Sequence, residues 1–115
     1  MFIDESLRAD EHPGIVFRPG PTGRRAALSG GPDVWEVIAA LNAIRNEEPD
    51  LDGDDLANEL ATVIGLSIAR VNAALRYYAA YPNEIDERIA NNADVAEREE
   101  RLWADQQTLL RRRTN

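Results

Sequence analysis

The sequence predicts a mainly α protein: a small N-terminal β-hairpin, a three-helix body that contains a helix-turn-helix, and a C-terminal helical arm. Residues 57–76 place small and apolar side chains at the offsets that two short helices need to cross around a glycine turn. Residues 14–28 hold two strand-like pieces around a turn rich in Pro and Gly. Beyond Asn91 the composition shifts to Asn, Ala, Asp, Glu and Arg, with only Val95, Leu102, Trp103, Leu109 and Leu110 as large apolar residues. A segment of that balance cannot bury enough surface alone to offset the entropy of ordering it, so its helix should need a partner.

A length of 115 residues suits one compact domain plus an arm. The absence of cysteine and the presence of a single histidine exclude disulfides, thiol chemistry and a Cys/His zinc site, and no metal or other cofactor is expected. No apolar run approaches the roughly 20 residues that cross a bilayer, and the first residues lack a basic region followed by an apolar stretch. A cytoplasmic protein with no membrane association is therefore expected.

The formal net charge is −8, and every one of the thirteen cationic side chains is arginine. Residues 46–60 carry seven acids and no arginine, whereas residues 13–45 and 61–82 are each mildly positive. An acidic chain repels phosphate at long range, so a free monomer should bind nucleic acid weakly. The positive stretches coincide with the hairpin and the helix-turn-helix, where a DNA contact would be needed.

Taken in order, residues 1–12 show no periodic apolar face and read as a flexible lead-in, closed by His12 and Pro13. Residues 14–18 and 24–28 read as the two strands, joined through 19–23. An isolated hairpin is marginal in water, so it should pack on the helices or pair through its edge with a second copy. Pro32 or Asp33 can open the first body helix, in which Val34, Val37, Ile38, Leu41 and Ile44 form one apolar stripe with Trp35 beside it. Residues 46–54 read as a loop, and Asp54 or Asp55 opens the next helix, with Leu56, Leu60, Val63 and Ile64 inward. Ala61 is small where the helices come closest, Gly65 supplies a positive φ, and Ser67 can cap the helix that buries Val71, Ala74, Leu75 and Tyr78. Tyr81 and Pro82 end that helix, because the residue before proline avoids the α region. Pro82 then opens a fourth helix running to about Arg113. The domains follow as a lead-in (1–12), a dimerising and DNA-binding body (13–90) and an arm (91–115).

Candidate DNA contacts are Arg18, Arg24 and Arg25 in the hairpin, with Ser67, Arg70, Asn72 and Arg76 on the second helix of the motif. Asn72 has the donor and acceptor that match an adenine edge. The plain alternative is that these arginines are ordinary surface charge on an acidic chain. Candidate partner contacts are Leu102, Trp103, Leu109 and Leu110, large groups that a sparse helix cannot bury alone and that suit a groove on another protein. Folding back on the parent domain is the plain alternative there. The acids at 47–59 lack calcium-loop spacing and read as a solvated loop. His12 has no second histidine or cysteine to work with, so an edge or cap role is expected, and no catalysis is expected.

The runs HisProGlyIleValPheArg (12–18), ProThrGlyArgArgAlaAlaLeu (21–28), GlyGlyProAspValTrpGluVal (30–37) and AlaAlaLeuArgTyrTyrAlaAlaTyrProAsnGluIleAsp (73–86) together resemble a family of small bacterial VapB-type antitoxin domains. Members commonly lie beside a PIN-like ribonuclease toxin, and the resemblance covers about residues 12–92. In the commoner form of that family the first segment has a GlyThrArg-like core; here residues 22–25 and the Gly30–Trp35 run stand in its place. The resemblance implies a helix-turn-helix body that dimerises and represses its own operator, and an arm that occupies the active-site side of the toxin. A PIN-like site is a cluster of carboxylates around Mg²⁺, so an inserted arginine could satisfy those acids. Arg98, Arg101 and Arg111 to Arg113 are the blocking candidates that follow. Other readings are a stand-alone helix-turn-helix regulator and a dimeric scaffold that never touches DNA.

Overall fold

The structure, a computed structural model, describes residues 2–20 and 23–112, with side chains from Glu5 to Gly20 and from Gly23 to Arg111. Its elements are α1 (Phe2–Glu11), β1 (Ile15–Arg18), β2 (Arg25–Leu28), α2 (Val34–Glu47), α3 (Gly53–Ile64), α4 (Ile68–Ala80) and α5 (Pro82–Arg112). The two strands pair antiparallel with Ile15 opposite Leu28 and Arg18 opposite Arg25. Pro21 and Thr22 of the expected turn lie outside the described residues.

The body closes because each element has one apolar face. On α2 the stripe Val34, Val37, Ile38, Leu41 and Ile44 is buried throughout, as its helical spacing requires. Leu56 and Leu60 of α3, Val71, Ala74 and Tyr77 of α4, and Ile85 of α5 meet that stripe. The hairpin covers one side of the core through Ile15, Ala26 and Leu28, which resolves the instability of an isolated hairpin by packing it on helices.

Asp33 ties the hairpin to the helices. It sits at the N-cap of α2 and forms an isolated bridge with Ala27, and its N–H donates to the Glu36 carboxylate at 3.2 Å. Its buried carboxylate accepts from Arg25 Nε and from Trp35 Nε1 (3.2 Å), with Arg18 at 3.9 Å. The strand register puts Arg18 and Arg25 face to face, a like-charge pair that would be unfavourable without an anion between them. Asp33 is that anion.

Between α3 and α4, Gly65 takes φ +70, and its N–H and that of Leu66 both return to the Ala61 carbonyl. A left-handed residue at this point is cheapest as glycine. Ser67 caps α4 by accepting from the Arg70 N–H at 3.3 Å. The helix-turn-helix geometry read from residues 57–76 is therefore present.

Four expectations are corrected. Residues 2–11 form a helix where a lead-in without regular structure was expected; α1 has no wide apolar stripe because it docks through polar side chains. Glu5 takes Arg24 Nε on both oxygens at 2.9 Å, and Arg8 reaches α4 and α5. The inward tyrosine of α4 is Tyr77, fully buried, with Tyr78 half-buried, because α1 and β1 cover the Tyr77 side of the helix. Val63 is 58% exposed, so the buried face of α3 is carried by Leu56 and Leu60. Helix α3 opens at Gly53, one or two residues earlier than expected, with Asp52 at its N-cap.

Helix α5 does not end with the body. Its 31 residues span about 46 Å at 1.5 Å per residue. The molecule accordingly measures 61 × 40 × 23 Å with a radius of gyration of 17.8 Å, against about 13 Å for a compact chain of this length.

Replacing Asp33 with Asn keeps the cap but leaves Arg18 and Arg25 without their counter-charge, and should cost about 1–2 kcal/mol; Asp33→Ala, which also loses the cap, should cost about 1 kcal/mol more. Urea denaturation followed by circular dichroism measures both, and equal losses would exclude a separate capping contribution.

Candidate functional site

The arm is positioned by a junction of three helices. Tyr77 Oη donates to Glu84 Oε2 at 2.8 Å and accepts from Arg8 Nη1 at 3.1 Å, while the same Arg8 nitrogen meets Glu84 Oε1 at 2.7 Å. Arg8 lies over the Tyr81 ring at 4.1 Å, and His12 packs edge-on against Tyr77 and Tyr81 at 5.3 and 5.9 Å between centroids. His12 is thus a core histidine under the junction, with its Nδ1 buried and without a hydrogen-bond partner among the described residues. Ile85, one residue past the junction, is buried, and Ile89 one turn later packs against the core. These contacts fix where α5 starts and its direction.

Burial pushes the Tyr77 hydroxyl well above its ordinary range, and donation to Glu84 pushes it further. Burial opposes the charge on Arg8, yet its bonds to Glu84 and Tyr77 leave it raised overall. On the outer side of the same joint Tyr78 donates to Asp86 at 2.7 Å, which raises its hydroxyl as well. Neither Arg8 nor Glu84 was singled out in the sequence. The available signal was Glu5, Leu7, Arg8, Ala9 and Glu11, good helix formers in a stretch without Gly or Pro.

Beyond the junction α5 leaves the body. From Asn91 to Arg111 every side chain is exposed except Gln107, which is half-buried. Leu102, Trp103, Leu109 and Leu110 are 63%, 64%, 60% and 51% exposed, so none folds back on the parent domain. Arg98, Arg101 and Arg111 lie on the same exposed stretch. The side chain of Arg112 and all of Arg113 lie outside the described residues. Where the arm departs, a cleft of about 570 Å³ opens between α5 and the body, walled by Arg25, Asp33 and Trp35 on one side and Arg88, Asn92 and Val95 on the other.

The candidate DNA contacts divide in two. Arg18 donates to the Leu28 carbonyl at 3.0 Å, Arg24 binds Glu5, Arg25 binds Asp33 and the Pro19 carbonyl, and Arg70 crosses to the Ser29 carbonyl at 2.6 Å. These four arginines hold the hairpin and the helices together. Gly31 makes the last contact possible, because a Cβ there would run into the Arg70 guanidinium. Asn72 and Arg76 face solvent on α4, and among the described residues Arg76 has no ion pair. The rest of the exposed rim mixes polar Asn58, Thr62 and Ser67 with apolar Val63, Ile68 at 42% exposure, and Ala69.

Among the described residues no three His, Cys, Asp or Glu side chains converge as a metal site, and no helix is long and apolar enough to cross a membrane. Comparison of the chain with protein-family models, with curated proteins and with solved structures finds no match in any of the three.

Tyr77→Phe should cost about 1–2 kcal/mol at neutral pH through the lost bonds to Glu84 and Arg8. A hydroxyl raised on folding stabilises fully below about pH 10, its unfolded value, and that stability is lost as pH rises above it. The urea midpoint of the parent chain should therefore fall above about pH 10, and the Phe variant should fall less steeply. A parallel fall in both would remove Tyr77 from the alkaline transition.

Proposed function

We propose that this chain is a two-part antitoxin of the type II kind. Its C-terminal arm binds and neutralises a PIN-like ribonuclease, and its helix-turn-helix body represses the shared operon. The observation that carries the reading is the projecting half of α5: about 20 residues of continuous helix with four large apolar side chains more than half exposed. Exposed apolar groups of that size on a helix held out from its own core mark a binding surface for another protein. Arg98 borders that face, and Arg101 and Arg111 lie elsewhere around the same exposed helix; their guanidinium groups suit a carboxylate-lined active site. Operator binding would fall to Asn72 and Arg76, with Ser67 at the start of the same helix.

A second reading, a scaffold whose helix pair touches no DNA, is favoured by one observation: Arg18, Arg24, Arg25 and Arg70 bind partners within the chain. With the net charge of −8, little cationic surface then faces a phosphate backbone.

Co-expression with the nuclease of an adjacent reading frame tests the first reading. The parent chain should restore growth, and Trp103→Glu with Leu110→Glu should lose that rescue while the body keeps its melting temperature. Rescue by the double variant, or a neighbouring frame that encodes no nuclease, would overturn it. A shortened chain has to end after Asn92 and not at Tyr81, because Glu84 and Ile85 belong to the body. Gel shifts with promoter DNA at low salt separate the two readings: Asn72→Ala with Arg76→Ala should weaken binding about tenfold, the loss of one good side-chain contact, whereas no shift with the parent chain selects the scaffold.

A further inference from the structure

We infer that, without any other protein present, the arms of two copies of this chain pair antiparallel along their exposed stripe, about a twofold axis between Leu102 and Trp103. The pairing uses the same helix face as the proposed toxin contact but does not rest on that reading, because no toxin enters it.

Spacing is the first argument. Val95, Leu102 and Leu109 recur seven apart, and Trp103 and Leu110 follow one step on, so one face of the arm is apolar at both ends and in the middle. Reversal about the 102/103 midpoint maps this face onto itself: Leu102 falls opposite Trp103, Val95 opposite Leu110, and the small Ala96 opposite Leu109. A face that repeats itself on reversal is what an isologous contact between two identical helices requires.

Charge decides the direction. Asp94, Glu97, Glu99 and Glu100, with Arg98 and Arg101 among them, lie in the first half of the arm, and three arginines, Arg111 to Arg113, follow Leu110. Parallel pairing would set each of these against its own copy. Glu99, which lies within the stripe one turn from both Val95 and Trp103, would then stack on a second Glu99 in a partly desolvated seam. Antiparallel pairing sets Glu99 against Gln106, whose amide can donate to it. Charges flanking a helical seam choose its orientation in this way.

The chain has no cysteine, so single cysteines report the geometry directly. Light scattering of the full chain at micromolar concentration should give about twice its 12.8 kDa mass. On oxidation Leu102→Cys should cross-link to itself. Val95→Cys alone should not, because its two thiols would lie about 22 Å apart along the pair, whereas a mixture of Val95→Cys and Leu110→Cys chains should cross-link. Leu102→Glu with Leu109→Glu should return the mass to that of one chain with the body still folded by circular dichroism, as both side chains are exposed. A monomeric parent chain, self-linking of Val95→Cys, or a dimer that survives the double glutamate variant would each overturn the inference, the last by placing the contact on the body. Every reading is made without a toxin, so failure of the antitoxin proposal leaves this outcome separate.

Discussion

The Tyr77 hydroxyl is where the architecture turns. It is the only polar atom of a fully buried ring, and it is satisfied by Glu84 from α5 and Arg8 from α1, so the N-terminal helix and the two consecutive helices α4 and α5 are referred to one point. A buried hydroxyl without partners costs more than the bond it forgoes, which makes the alternatives to this arrangement expensive. Since α5 is one unbroken helix, the bond that seats its first turn also aims its last turn, tens of ångströms away. The direction of the exposed arm is thus decided inside the core.

A second constraint acts at the other side of the body. Asp33 is at once a helix cap, a strand bridge and the counter-ion for two facing arginines. This combination joins the hairpin to α2 beside the buried apolar contacts of Ile15, Ala26 and Leu28. It also withdraws Arg18 and Arg25 from any external role, as the Ser29 carbonyl does with Arg70 and Glu5 with Arg24. In an acidic chain with no lysine, arginine serves as structural mortar because its planar fork can satisfy carbonyls and carboxylates together. The large apolar groups left exposed to meet a partner lie mostly on α5.

That division bears on both functional proposals. An arm with exposed leucines and a tryptophan carries a hydrophobic cost in water whichever partner covers it, so a self-paired resting state and a complex with a nuclease would compete for one surface. Exchange between them would couple the amount of toxin to the oligomeric state of the body. The helix pair would then meet an operator in a form set by the arm.

Much of this molecule was legible without coordinates. The α2 stripe follows from its spacing, the turn at Gly65 from the need for a positive φ after Ala61, the cap at Ser67 from its hydroxyl, and the arm from a composition too polar to bury itself; each depends on neighbours within a few residues in the chain. The helix at 2–11, the choice of Tyr77 over Tyr78, the exposure of Val63 and the internal partners of four arginines depend on residues up to 76 positions apart, as with Arg8 and Glu84. Local pattern can say that a side chain has an apolar face or a charge to place. Only the closed core decides which of two adjacent tyrosines is covered, and which arginines find an acceptor before any partner arrives.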